Sequence, residues 1–145
     1  MSDKSDLQTL YTRLIDSRDG YEQALERTES GSLKSLFGEM IERRSRNASQ
    51  IRTYLAQQGV EMDEDGSLLA AAHRGFLSLK DAVTGAGDEA VLEEVIRGEE
   101  TLLQAYDEAI SEAAGSDPEY AFVVQQHNEL KSKLEELRGR ERIAA

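Results

Sequence analysis

The sequence has no cysteine, no tryptophan and a single proline among its 145 residues. The lack of cysteine excludes disulfides, thiol catalysis, cysteine-ligated zinc and iron–sulfur clusters. The scarcity of proline is typical of long helices, whose interiors exclude that residue. No run of about 18 apolar residues is present, so no segment is expected to span a membrane. Because the start, MSDKSDLQ, is polar and lacks the apolar core of a signal peptide, we expect a cytoplasmic protein.

The charge of the chain is strongly acidic. There are 17 basic and 29 acidic side chains, giving a formal net charge of −12. A domain of this charge repels phosphate backbones and anionic lipid surfaces, so neither nucleic acid nor membrane is expected as a partner. No Ser/His/Asp arrangement, phosphate-binding glycine loop or dinucleotide fingerprint appears. The length suits one domain covering residues 1–145.

Apolar residues recur at three- and four-residue spacing along the chain, which predicts amphipathic helices. Ser32 is expected to cap the second helix and Asp88 to cap the fourth, because both residue types accept hydrogen bonds from a first helical turn. Gly59 is expected to end the second helix, since glycine readily adopts the left-handed conformation. The predicted helices cover about 5–29, 32–58, 67–84, 88–114 and 117–140.

The connections between these helices predict their arrangement. The first and second helices are joined by a very short turn, and so are the last two, so each pair should form an antiparallel hairpin. The connection from residue 59 to residue 88 is long and contains the short helix 67–84. Two hairpins joined by one long crossover form the ferritin-like arrangement of a four-helix bundle. The predicted fold class is therefore all-α, a ferritin-like four-helix bundle with a fifth, crossover helix.

Several stretches carry a family resemblance: DSRDGY at 16–21, LKSLF at 33–37, AHRGFLSLK at 72–80 and RGEE at 97–100. They resemble a bacterial family of ferritin-like four-helix proteins, the domain of unknown function (DUF) number 2383, from about Leu7 to Arg138. The most distinctive stretch is the one around His73. The resemblance implies a ferritin-like fold but no activity, because the function of the family is unassigned.

The metal ligands of ferritin-like di-iron proteins are incomplete in this chain. Such proteins take one Glu from each of two helices and a Glu-x-x-His motif from each of the other two. The chain has two histidines, His73 and His127. The residues three positions before them are Ala70 and Val124, so neither histidine completes the motif. An intact di-iron oxidase site is therefore excluded.

The family resemblance also implies an acidic residue at the positions of Arg18 and Ile96 and a histidine at that of Leu134. The sequence departs from this pattern at all three positions, which argues against a metal site of the family type. The residues that would hold a metal in an atypical site are Glu22, Glu42, Glu99 and His127. Iron, manganese and zinc are the ions considered for them.

Polar residues interrupt the apolar stripes at similar heights in the predicted bundle. These residues are Arg18, Arg44, Asn47, Glu99 and Gln126. We interpret them as a polar layer in the core, with an Arg–Glu hydrogen-bonded network where metal-binding relatives hold ions. A cationic guanidinium there would repel a divalent ion. The alternative is that both arginines lie at the edge of a stripe and keep their charged ends in water.

The leading functional hypothesis is a bundle without enzymatic activity or cofactor that associates with itself, as a homodimer, or with another protein. The expected interface is on the crossover helix, at Leu69, His73, Phe76 and Leu77. The alternative is a metal-binding, ferritin-like protein linked to stress. A third hypothesis is a small-molecule site between helices, since bundle cores often contain pockets.

Overall fold

The computed structural model describes residues 5–62, 87–112 and 120–144 of the chain, with side chains up to residue 140. Four helices occupy these residues: α1 (Ser5–Arg27), α2 (Gly31–Gln57), α3 (Asp88–Glu112) and α4 (Ala121–Ala144). No strand occurs in the described ranges, which confirms the all-helical prediction there. The predicted helix 67–84, with Leu69, His73, Phe76 and Leu77, lies outside the described residues. Among the helices described, none is both long and apolar enough to cross a membrane.

The turn between α1 and α2 covers residues 28–30 and therefore lies earlier in the chain than the sequence predicted. Ser30 is the N-cap of α2, with an extended backbone, and its Oγ accepts a hydrogen bond from the backbone N–H of Leu33 at 3.3 Å. The expectation that Ser32 would be the cap is wrong, because the helix already begins at Gly31. Either serine can accept the capping hydrogen bond, and helix ends cannot be located from sequence to within two residues.

The end of α2 is stabilised by a glycine in the left-handed conformation. Gly59 has φ +83°. The backbone N–H of Val60 donates to the carbonyl of Leu55 at 2.8 Å, and that of Gly59 to the carbonyl of Ala56 at 3.0 Å. This pair of bonds is the Schellman motif. Val60 also packs against the core, which anchors the chain as it leaves the helix.

Contacts at the two ends of the molecule fix the directions of the helices. Asp88, the first residue of α3, bonds to the turn between α1 and α2. At the opposite end, the Tyr54 ring near the end of α2 lies 5.7 Å from the ring of Tyr120, just before α4. Consequently α2 and α3 run in one direction and α1 and α4 in the other. α2 therefore ends, and α3 begins, at opposite ends of the molecule.

The buried apolar residues form two groups. The Tyr106 cluster consists of Leu7, Leu10, Tyr11, Leu14, Ile15, Ala48, Ile51, Tyr54, Leu55, Leu102, Ala105, Tyr106, Ala109, Tyr120, Val123 and Leu130. The Phe37 cluster consists of Tyr21, Ala24, Leu33, Leu36, Phe37, Met40, Val91, Leu92, Val95, Ile96, Leu134 and Leu137. All four helices contribute to both clusters, as expected when each helix buries one apolar stripe. This arrangement is compatible with a four-helix bundle.

Candidate functional site

A layer of polar side chains separates the two apolar clusters. On α2, Arg44 lies between Met40 of the Phe37 cluster and Ala48 of the Tyr106 cluster. On α3, Glu99 occupies the corresponding position between the clusters. Arg44 is 2% exposed and Glu99 1% exposed. Charged residues are almost never buried to this extent unless they are paired, so Arg44 and Glu99 are expected to have partners.

Ser17, Arg44 and Glu99 form a closed set of hydrogen bonds, here called the central network. The Nη2 of Arg44 donates to Oε2 of Glu99. The Nε of Arg44 donates to Oγ of Ser17 at 3.1 Å, and the Ser17 hydroxyl donates to Oε1 of Glu99 at 2.7 Å. Both carboxylate oxygens of Glu99 therefore accept a bond. One residue comes from each of α1, α2 and α3, so the network connects three helices.

The electrostatics of the network favour a charged Arg44. Burial is the largest single effect on the pKa of the Arg44 guanidinium and lowers it, but Glu99 and, to a smaller extent, Tyr21 and Tyr106 together raise it by more, so that this pKa lies above its ordinary value. The two charges thus compensate for each other's desolvation, which is the condition under which a buried ion pair is tolerated. Removing one partner alone would leave an uncompensated charge in the core.

Two buried tyrosines border the central network. Burial raises the pKa of Tyr21 well above its ordinary value, and Glu99 raises it further while Arg44 lowers it. The Tyr21 hydroxyl lies close to both charges. Burial likewise raises the pKa of Tyr106, and Arg44 opposes this effect. Neither phenol is therefore ionised near neutral pH.

A second chain of hydrogen bonds leads from this region to the surface. The Tyr106 hydroxyl donates to Oε1 of Gln126 at 2.7 Å, and Nε2 of Gln126 donates to Oε1 of Gln50 at 2.6 Å. Gln126 is 3% exposed, whereas Gln50 is exposed. Nε2 of Gln126 also lies 3.5 Å from the backbone carbonyl of Asn47. Asn47 thus takes part through its backbone, and its side chain is half-buried.

The structure brings together some of the residues assigned to the polar layer and separates others. Arg44, Glu99 and Gln126 are buried between helices. Arg18 is not part of the central network, because its guanidinium lies 3.1 Å from the Asp19 carboxylate and its side chain is 26% exposed. The neighbouring Ser17 is the residue of α1 that reaches Arg44 and Glu99.

The four candidate metal ligands do not converge. Glu22 and Glu42 are exposed, and Glu99 is bonded to Arg44. The Nε2 of His127 lies 2.8 Å from Oδ1 of Asp107, near the surface. In residues 5–62, 87–112 and 120–140, no three His, Asp or Glu side chains are grouped as metal ligands.

Sequence reasoning missed three members of the polar arrangement: Ser17, Tyr21 and Gln50. Tyr21 is one of the buried residues of α1, and its hydroxyl lies close to Glu99 and Arg44. Ser17 carries no sequence signal, because a small hydroxyl residue is equally common on an exposed helix face. The sequence pattern that could identify such a residue is a serine next to the apolar stripe of one helix, when the stripes of two neighbouring helices contain an Arg and a Glu at the same height.

The chemistry available to the central network is limited by its own bonds. The Ser17 hydroxyl donates to a carboxylate that is already neutralised by a guanidinium, so no general base is left to activate it. Arg44 and Glu99 are almost inaccessible to solvent, and a substrate would have to open the core to reach them. The arrangement therefore stabilises the packing of three helices.

Comparison with known proteins gives one match. Residues 4–112 match the family described as Domain of unknown function (DUF2383). The match covers α1, α2 and α3 but not α4, so it ends before Arg138, to which the resemblance was expected to extend. No curated protein matches the chain, and no solved structure matches it. Since the matched residues make up well over half of the sequence, the chain belongs to the family Domain of unknown function (DUF2383).

Proposed function

We propose that this protein is a ferritin-like four-helix bundle that acts by associating with protein, either a second copy or another chain, and not through metal chemistry. The observation that carries the proposal is the central network. Ferritin-like di-metal proteins bind their ions between inward-facing carboxylates and imidazoles in the middle of the bundle. Here an Arg–Glu pair lies in the middle, between the two apolar clusters.

The directions of the helices support the ferritin-like part of this proposal. α2 and α3 run in the same direction, so the connection between them has to return along the length of the molecule. Bundles with one long crossover between two hairpins have this arrangement. The contacts of Asp88 with the first turn and of Tyr54 with Tyr120 are the two observations on which it rests.

The electrostatics of the centre support the absence of metal binding. A divalent ion at Glu99 would have to displace the Arg44 guanidinium, which would then be buried without a partner. Removing one member of a buried ion pair costs about 3–5 kcal/mol. Ile96 and Leu134, where the family resemblance implied an acidic residue and a histidine, are 6% and 1% exposed and belong to the apolar Phe37 cluster.

Because the central network closes the middle of the bundle, a partner can bind only at the surface. We therefore propose that the protein acts by associating with another protein chain. The test is the native size of the protein in a lysate of its own cells, followed by chemical cross-linking and mass spectrometry of the cross-linked peptides. We expect a complex larger than the 16.1 kDa chain. A monomer in the lysate, together with a monomer after purification at high concentration, would overturn the proposal.

The alternative proposal is an atypical metal site that uses Glu99. It requires Arg44 to move away from Glu99 when an ion binds. It predicts stoichiometric retention of iron, manganese or zinc that is weakened by Glu99→Ala.

A further inference from the structure

The face formed by α2 and α4 differs in charge from the rest of this acidic chain. Residues 43–58 of α2 contain four arginines and no Asp or Glu. In α4, residues 121–128 contain no Asp, Glu, Lys or Arg, and residues 129–136 contain three glutamates and two lysines. By contrast, α3 carries nine acidic residues and one basic residue over 88–112. We call the outward-facing side chains of 43–58 and 121–136 the α2–α4 face.

The α2–α4 face contains a groove. The backbones of α2 and α4 approach each other less closely than those of the other neighbouring helices. A cavity of about 490 Å³ between them is open to solvent and is lined by residues that include Thr53, Gln57 and the half-buried Phe122. An adjoining cavity of about 350 Å³ is lined by Arg46, Gln125 and other residues. The groove thus combines amides, hydroxyls and an aromatic ring.

We propose that the α2–α4 face is the surface on which a second copy of this chain docks, with the same face of both copies in contact. This inference rests on the proposed function, and it names the surface and the partner. Interfaces between proteins are depleted of charged residues at their centre and enriched in aromatic residues. The groove around Thr53, Gln57 and Phe122 has this composition, in a chain of which 32% of residues are charged.

Electrostatic repulsion between two copies of the chain is weaker if they meet at the α2–α4 face than if they meet at an acidic face. Two chains of net charge −12 repel each other wherever acidic surfaces meet. A third, adjoining cavity of about 580 Å³ extends the groove. The charged residues that line it and the 350 Å³ cavity are three basic and two acidic: Arg43, Arg46, Lys133, Glu129 and Glu136. In a contact of the face with itself, arginines of one copy can therefore pair with glutamates of the other. Amide side chains both donate and accept hydrogen bonds, so they are self-complementary too.

The size of the face predicts a weak dimer. Sixteen residues of helix are about 24 Å long, and two adjacent helices are roughly 20 Å wide. The contact would therefore bury about 1,000 Å² in total, near the lower limit for a specific interface. Association should then depend on concentration in the micromolar range.

The test is sedimentation velocity of the whole chain at increasing concentration, with charge introduced on the face. The variant Thr53→Glu/Ala121→Glu adds acidic residues at two exposed positions, one on each helix. The matched control, Thr101→Glu/Gln104→Glu, adds the same charge at exposed positions of α3. We expect the wild type and the control to dimerise alike and the face variant to dissociate at least tenfold more readily. Far-UV circular dichroism shows whether each variant is folded.

A charge-swap experiment identifies the contact as one between identical faces. Thr53→Lys/Ala121→Lys alone should also weaken the dimer, and an equimolar mixture of the Lys and Glu variants should restore it as a heterodimer. A wild type that is monomeric throughout would overturn the inference; a lysate complex with another protein would then still support the proposed function. A dimer that is insensitive to the face variant would also overturn the inference, and would leave association to occur through another surface.

Discussion

At the scale of single residues, the burial of Arg44 and Glu99 is the feature on which the account depends. The sequence predicted both as polar interruptions of apolar stripes, because helical periodicity fixes which positions face the core. It did not distinguish Arg18 from Ser17. Adjacent residues point about 100° apart on a helix, and at the edge of a stripe either can turn inward. The short Ser17 fits beside Glu99, whereas the longer Arg18 reaches outward to Asp19.

We predict strong coupling between Arg44 and Glu99 in a double-mutant cycle. Glu99→Leu alone should lower the free energy of unfolding by about 3–5 kcal/mol, because it leaves the Arg44 charge buried without a partner. The double variant Arg44→Met/Glu99→Leu should recover most of this loss, since apolar side chains replace both charges. Urea denaturation monitored by circular dichroism measures both effects. If the loss of unfolding free energy in the double variant equalled the sum of the losses in the two single variants, Arg44 and Glu99 would not act as a pair.

At the scale of helices and turns, the sequence predicted the presence of the helices more accurately than the residues at which they begin. Glycine and serine marked the turn between α1 and α2, but the cap is Ser30 and not Ser32. Asp88 was expected to cap its own helix, and its carboxylate instead accepts bonds from the turn between α1 and α2: from Thr28 Oγ1 and Glu29 N at 2.8 Å and from Ser30 N at 2.9 Å. A bond between segments 58 residues apart has no signature in local sequence.

Two glycines should respond in opposite ways to substitution by alanine. Gly59→Ala should lower the free energy of unfolding by about 1–2 kcal/mol, because a side chain is strained at its φ of +83°. Gly98→Ala should raise it by about 0.5–1 kcal/mol, since Gly98 lies within α3, where alanine is the better helix former, and a Cβ there would meet no other atom within 4 Å. Urea denaturation of the two variants checks both values. Equal effects would contradict the assigned conformations.

The bonds of Asp88 predict a dependence of stability on pH. The backbone N–H of Glu29, the Thr28 hydroxyl and the N–H of Ser30 hold the pKa of Asp88 below its ordinary value. A carboxylate whose pKa is lowered by folding contributes stability above its unfolded pKa of about 3.9, and loses it as the pH falls through the folded pKa. Asp88→Asn should therefore be less stable than the wild type at pH 7, and the difference should shrink below about pH 4.

The control for this experiment is Glu89→Gln, at the exposed neighbouring position. Urea midpoints of the three proteins between pH 7 and pH 3 give the comparison. We expect the control to follow the wild type. A difference between Asp88→Asn and the wild type that does not change with pH would show that the Asp88 charge does not connect α3 to the turn.

At the scale of the whole molecule, the lengths of the connections predicted the order of the helices, and the ends of the described helices agree with parallel α2 and α3. The predicted interface on the crossover helix lies outside the described residues. The α2–α4 face could not be predicted from periodicity alone, because a groove depends on the distance between helices. Its signal in the sequence is the lack of Asp and Glu from 43 to 58.

The most direct test of the central claim is the metal content of the purified protein after anaerobic loading with Fe(II), and separately with Mn(II) and Zn(II), followed by desalting and elemental mass spectrometry. We expect no ion to be retained in proportion to the protein, because Arg44 neutralises Glu99 and occupies the centre. Retention of one or two ions per chain, as in ferritin-like metal proteins, and its loss in Glu99→Ala would show that the centre binds metal and that the Arg44–Glu99 pair does not close it.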